Sequence, residues 1–289
     1  EPSSFTSHIT AAAIAENHSN IMLIAGGAIL EKSIDNGATF SVIGSGLPTN
    51  SQIQDIAFDP NNDDVIIVVY ASYQNDNNKV FITSDGGNTW SNITHNLNNM
   101  PIHSVVIDHT QNSNIYLGAE IGVYTMRMQD NIWSLYNPSL PNVTIEELEI
   151  VYGSNTLRAA TWGRGLWEIN LVGRENFPSI LRTQISNLPT DVSPQENMNQ
   201  YVNAIISYPN TLSSVYLEYA IDDNNNSTTS IEMLNTQDST WVSEIPLPYY
   251  PSGTKVYFTV YATGDNNDTS ETYQFMYTVK PGDGQVYGC

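Results

Sequence analysis

Short apolar runs, rich in β-branched and aromatic residues and bounded by Asn, Asp, Gly or Pro, follow one another along the whole chain. No stretch keeps the spacing of an amphipathic helix, so the pattern predicts an all-β protein. The runs also recur. Residues 12–16, 55–59 and 104–108 each lead through an Asn-rich turn (17–20, 60–64, 109–114) into a second apolar run at 21–25, 65–69 and 115–119. A further strand and a hairpin follow each time. The repeating unit is therefore a four-strand sheet of about forty residues. A fourth, shortened unit runs from 145 to 171.

Beyond residue 172 the pattern changes. A segment rich in Pro, Ser and Asn, 173–198, reads as a linker with a first strand. Cleanly alternating strands are then predicted at 201–206, 214–219, 231–234, 240–245, 255–262 and 273–279. Six or seven short strands over 199–280 fit an immunoglobulin-like or fibronectin-III-like sandwich, with 281–289 as a tail. Residues 249–258 and the following loop at 262–270 resemble the late strand and hairpin of bacterial sandwich modules.

Two hairpins share one signature. The first is Ser33-Ile34-Asp35-Asn36-Gly37-Ala38-Thr39-Phe40 and the second Thr83-Ser84-Asp85-Gly86-Gly87-Asn88-Thr89-Trp90. An Asp in a tight turn accepts backbone N–H groups one or two residues on, so Asp35 and Asp85 are expected to close their own turns. Gly37 and Gly87 stand where positive φ is needed. Thr39 and Thr89 start the outgoing strand, and Phe40 and Trp90 anchor it. The third hairpin keeps only the aromatic, Trp133.

The signature resembles the Asp-box (BNR) repeat of β-propellers, which include sialidases, xyloglucanase-type glycosidases, sortilin-like receptors and secreted bacterial proteins. Residues 157–169, with Thr161-Trp162-Gly163-Arg164-Gly165 and Trp167, resemble the ending of the last blade in secreted bacterial members. The resemblance implies a partial Asp-box propeller over 1–172, three blades plus a closing segment. It also implies structural roles for the box residues. Arg164, between two glycines, is read as a tie to carbonyls and a carboxylate of the scaffold in preference to an anion site. Such propellers have six or more blades. An open arc exposes on the order of 400 Å² of apolar face, ~10 kcal/mol of burial at ~25 cal/mol/Å². The remaining blades are therefore expected in the same chain, upstream, or in another chain.

Charge narrows the partners. With 30 acidic and 9 basic residues the net charge is −21, which repels phosphate backbones and anionic lipid. Nucleic acid and membrane insertion are excluded as expectations, and an extracellular or bacterial cell-surface setting is favoured. The single cysteine, Cys289, allows no intrachain disulfide.

Candidate chemistry is sparse. Asp55, Asp59, Asp108, Glu120 and Glu146 are the acids available to a glycosidase, but no spacing selects a pair. The arginines (127, 158, 164, 174, 182) do not suggest a sialidase triad. Histidines 8, 18, 95, 103 and 109 show no zinc spacing. Residues 59–64 and 222–226 offer oxygen atoms to calcium, though solvated loops are the preferred reading and no cofactor is expected. Tyr70, Tyr73, Trp162 and Tyr249 are named as exposed aromatics suited to stacking on sugar rings. The expected function is non-catalytic binding of a polysaccharide or extracellular protein. The alternatives are a xyloglucanase-type glycoside hydrolase with acids on missing blades, and an appendage of a larger secreted protease.

Overall fold

The structure, a computed structural model, describes residues 8–110, 113–136, 140–174, 176–185, 194–196, 198–222 and 228–281. Residues 186–193 of the linker, 223–226 of the second acidic loop, and 282–289 with Cys289 lie outside them. Every helix or strand described is a strand. The chain divides into two units, Glu1–Ile150 with Leu157–Val172, and Val151–Thr156 with Gly173–Cys289.

The first unit is a succession of antiparallel sheets, each in simple chain order. The first holds β1 (Ala11–Ile14), β2 (Met22–Gly26), β3 (Ile29–Ser33) and β4 (Ser41–Ile43). The second holds β5 (Ile53–Asp59), β6 (Asn62–Tyr70), β7 (Val80–Thr83) and β8 (Ser91–Asn92). The third holds β9 (Ile102–Ile107), β10 (Asn114–Ala119), β11 (Gly122–Arg127) and β12 (Ser134–Leu135). The last has three strands, β13 (Ile145–Val151), β14 (Thr156–Thr161) and β15 (Gly165–Asn170).

The unbroken apolar runs at β6 and β10 have a physical cause: both faces of these strands are covered. Ile66, Val68 and Tyr70 pack with Leu23, Leu30 and Ile56 on one side, and Ile67 and Val69 pack with Val105 and Leu117 on the other. The sheets thus stack face to face. Their first strands are also tied together by side chains. Thr10 Oγ1 donates to the Ile53 carbonyl at 2.8 Å. The Val105 N–H (2.8 Å) and Ser104 hydroxyl (3.0 Å) donate to Asp55, and the Leu148 N–H donates to Ser104 Oγ at 3.1 Å.

The second unit holds β16 (Ser179–Ile185), β17 (Val202–Ser207), β18 (Leu212–Ile221), β19 (Thr229–Gln237), β20 (Thr240–Ser243), β21 (Lys255–Gly264), β22 (Thr269–Glu271) and β23 (Phe275–Thr278). They form one hydrogen-bonded path, β16-β17-β20-β19-β18-β21-β22, with β23 on β21. β19 is the corner: residues 229–232 pair with β18 and 233–237 with β20. Alternate residues of β17, β18 and β21 (Val202, Ala204 and Ile206; Val215 and Leu217; Val256, Phe258 and Val260) enclose one apolar core.

Candidate functional site

The two matching hairpins have the same hydrogen-bond network. In the first, the Ser33 hydroxyl donates to Asp35 Oδ1 (2.7 Å) and accepts the Asp35 and Gly37 N–H groups, at 3.3 and 2.9 Å. Asp35 in turn accepts the Thr39 N–H (2.8 Å) and hydroxyl (2.6 Å). Thr83, Asp85, Gly87 and Thr89 repeat this bond for bond, and Trp90 Nε1 donates to the Gly87 carbonyl at 3.2 Å. The division of labour differs from the sequence reading. The hydroxyl, rather than the carboxylate, takes the near N–H groups, because its short arm lies over the turn while the carboxylate reaches the residue four further on.

These bonds fix a pH response. The Thr39 hydroxyl and N–H, with Ser33, hold Asp35 down at about 2, and Thr89 and Thr83 hold Asp85 lower still. Asp55 is pushed up by burial, against the bonds from Val105, Ile56 and Ser104, and Glu147 is pushed up by burial and then by the charges of Asp55 and Glu149. Carboxyls with lowered pKa stabilise the fold above the unfolded value of about 4 and lose that contribution as pH falls towards the folded value. Those with raised pKa cost stability at neutral pH, and that cost fades as they protonate. Urea unfolding of the first unit followed by tryptophan fluorescence is therefore expected to show a stability maximum at about pH 4–5 and a steep fall below it. A flat profile from pH 7 to 3 would contradict this assignment.

The segment 161–167 forms the β14–β15 hairpin. The Thr161 hydroxyl donates to the Gly165 carbonyl (2.7 Å) and Trp167 Nε1 to the Arg164 carbonyl (3.0 Å). Gly163 and Gly165 both have φ of +76°, which the turn requires. The scaffold tie expected of Arg164 is not made. Its side chain is exposed and, among the described residues, forms no hydrogen bond or ion pair. Trp162 stands out from the turn at 69% exposure.

The acids do not converge. Asp55 bridges β5 and β9. Asp59 and Asp108 cap their own turns through the Asn61 and Thr110 N–H groups, each at 2.8 Å. Glu146 is exposed on β13. Among the described residues no three His, Cys, Asp or Glu side chains gather to hold a metal ion.

Glu120 is different. It lies in the turn between β10 and β11, and its Oε1 accepts the Tyr73 hydroxyl at 2.6 Å. Tyr73 belongs to the connection 71–79 between β6 and β7, nine residues where the corresponding turns at 27–28 and 120–121 have two. That hydrogen bond, then burial and the charge of Glu120, raise the Tyr73 phenol above its ordinary value, so it stays a donor. His103 Nε2 is 3.8 Å from the same Glu120 oxygen and is buried without a hydrogen-bond partner.

Bonds between neighbouring turns extend this cluster into a rim. Asn50 Nδ2 donates to Gln74 Oε1 (2.9 Å) and Asn99 Nδ2 to the Tyr73 carbonyl (3.0 Å). The Thr144 hydroxyl donates to the Glu120 carbonyl (3.4 Å), and the Trp162 N–H to the Thr144 carbonyl (2.9 Å). Tyr73, 70% exposed, and Trp162 thus belong to one edge of the stacked sheets, with amides and a carboxylate between them. Tyr249 is exposed in the second unit, whereas Tyr70, expected on the surface, is 0% exposed. It ends β6 in phase with Ile66 and Val68 and fills the same core. Sequence reasoning named Tyr73 and Glu120 separately and missed their pairing, for which the long 71–79 connection was the available signal.

Among the described residues no helix is long and apolar enough to cross a membrane. No protein-family model and no curated protein sequence matches the chain. Solved structures do. The chain is similar to an ancestral GH74 enzyme, at 15% identity and a TM-score of 0.39, over 91% of this chain and 40% of that one. It is similar to the extracellular domain of a one component system from B. thetaiotaomicron, at 10% identity and a TM-score of 0.45, over 97% and 38%. It is also similar to the extracellular domain of a hybrid two component system from the same organism, at 13% identity and a TM-score of 0.41, over 97% and 40%. The chain spans about two fifths of the length of these structures.

Proposed function

We propose that this chain is a non-catalytic binding module of an extracellular or bacterial cell-surface protein, and that its first unit holds a polysaccharide along the rim of Tyr73, Glu120 and Trp162. In this reading the first three sheets are blades, and the three-stranded fourth the closing segment, of a larger Asp-box β-propeller whose other blades lie elsewhere in the same or another chain. The second unit is an immunoglobulin-like sandwich. The observation that carries the reading is the placement of two exposed aromatic side chains on one edge, joined by polar groups. Aromatic rings left in water are suited to the apolar face of a sugar, while amides and a carboxylate accept and donate to its hydroxyls. A net charge of −21 favours neutral over anionic polymers. The binding reading is preferred to hydrolysis because Asp55, Asp59 and Asp108 already hold backbone N–H groups, and Glu120 holds Tyr73.

Affinity electrophoresis against neutral polysaccharides (xyloglucan, mannan, laminarin) tests this. At least one is expected to retard the protein, and Trp162→Ala and Tyr73→Ala are each expected to weaken retardation about tenfold, the scale of one aromatic contact. Unchanged retardation in the double variant, or none by any polymer, would sink the rim as the site. Release of reducing ends by the intact chain would favour the hydrolase reading.

A further inference from the structure

The second unit contains a cavity that the rim does not explain. Pairing of β18 with β19 ends at Tyr216 opposite Glu232, whereas β18 itself begins at Leu212. From Met233 onward β19 pairs with β20 instead. The strands part there and leave a cavity of about 340 Å³ lined by Leu212, Tyr216, Ser230, Glu232, Met233 and Trp241. Tyr216 lies in a straight cross-strand row, Glu232–Tyr216–Tyr261–Glu271, over β19, β18, β21 and β22. Its ring stacks on Tyr261 with centroids 5.0 Å apart and planes 13° from parallel, which leaves its other face towards β19 and Glu232.

The charges on this face are one-sided. Glu218 lies two residues from Tyr216 on the same side of β18, and neither it nor Glu232 forms an ion pair among the described residues. Arg174 acts on Glu271 at the far end of the row. An aromatic face beside an unpaired carboxylate attracts a cation through both the ring quadrupole and the charge. Leu212, Met233 and Trp241 supply the apolar wall that a long aliphatic arm needs. Leu212 and Trp241 also border a second hollow, about 500 Å³, lined by Asn210, Asn235 and Asp238, whose polar groups suit a peptide backbone.

We propose that the cavity receives a lysine or arginine side chain from an extended segment of a partner protein, its arm against Leu212, Met233 and Trp241 and its charged head between Glu232 and the free face of Tyr216. This site is independent of the polysaccharide rim and of the reading built on it.

Isothermal titration of the full chain with the blocked peptide Gly-Ser-Lys-Ser-Gly, and with Gln or norleucine in place of Lys, tests the assignment. The Lys peptide is expected to bind at least about tenfold tighter than either counterpart. Glu232→Gln is expected to remove about that tenfold, and Tyr216→Leu part of it, with far-UV circular dichroism and the urea midpoint of the second unit unchanged. Glu146→Gln, an exposed acid of the first unit, serves as the control for diffuse attraction by an acidic protein and is expected to change nothing. Equal binding of the norleucine or Gln peptide, no binding of the Lys peptide, no effect of Glu232→Gln, or an equal effect of Glu146→Gln would each overturn the proposal. So would displacement of the Lys peptide by a neutral oligosaccharide, which would mark a sugar site.

Discussion

Replacing Lys79 by alanine is expected to destabilise the first unit by about 2–4 kcal/mol, the cost of truncating a fully buried side chain and removing the partner of a partly buried carboxylate. Lys79 is 0% exposed, a rare position for an ammonium group. Its Nζ donates to the Gln74 carbonyl at 2.7 Å and to Asp76 Oδ1 at 3.3 Å. Asp76 tolerates its site because of these bonds: burial acts to raise its pKa, but hydrogen bonds from Asn78 and Lys79 outweigh that and leave it lowered. Its Oδ2 is buried without any hydrogen bond. Alanine would strand that carboxylate and the Gln74 carbonyl, and would leave a void where the four-carbon stem was. Lys79→Met restores the volume without the charge and is expected to fall between alanine and the parent. Trp90, Trp133, Trp162 and Trp167 lie in the first unit and Trp241 alone in the second, so tryptophan fluorescence in urea reads the relevant transition. A loss below about 1 kcal/mol for Lys79→Ala would show that the ammonium is better solvated than this geometry allows. The same substitution releases residues 71–79, and with them Tyr73 from Glu120, so polysaccharide retardation is expected to fall alongside stability.

The expectation for Lys79 also marks where sequence patterning stops being informative. Within 59–80 the apolar run of β6 is plain, and so is the Asn-rich connection after it. A lysine at the end of such a connection reads as one more solvated residue. Its burial comes from the Gln74 carbonyl and Asp76 carboxylate folding over it, a local conformation that no periodicity encodes. Tyr70 and Tyr73 make the same point. Both are aromatic and they stand three residues apart, yet one is core and the other surface. The continuous run from Val65 to Tyr70 did carry the answer, because a strand covered on both faces buries every side chain it contains.

The all-β class was legible for a simple reason: strand-forming runs and turn formers alternate too closely to admit a helix. Chemistry that depends on partners distant in sequence was not. Tyr73 and Glu120 are 47 residues apart, and only the stacking of successive sheets unites them. The row Glu232–Tyr216–Tyr261–Glu271 requires the registers of three strand pairs. β22, which completes it, falls in residues that read as a hairpin loop, since Thr269–Glu271 is too short to show alternation. Arg164 failed differently. A guanidinium between two glycines invites the expectation of a scaffold partner, but the two positive-φ glycines make a tight turn that leaves the Arg164 side chain exposed.

Gly118→Val is expected to destabilise the first unit by about 3 kcal/mol, and Gly118→Ala by about 1–3 kcal/mol. Glycine inside a strand ordinarily weakens it, so on backbone preference alone alanine would stabilise by about 0.5–1 kcal/mol. The sign of the effect therefore decides which physics governs the position. Gly118 lies on β10, where all six residues are buried. A Cβ added there would sit 2.9 Å from Ile145 Cγ2 and 3.3 Å from the Ile145 carbonyl oxygen on β13. The missing side chain is what lets the third sheet approach the fourth so closely. Ile145 is itself fully buried, so it has little room to retreat. Leucine at 145 lacks the offending β-branch, and Gly118→Ala is expected to cost less in an Ile145→Leu background than in the parent. The carbonyl contact remains in both, so the rescue is expected to be partial. An additive double variant, or a stabilising Gly118→Ala, would mean that the third and fourth sheets are not in contact through this pair, and the stacked arrangement that brings Glu120 and Trp162 to one edge would lose its structural basis.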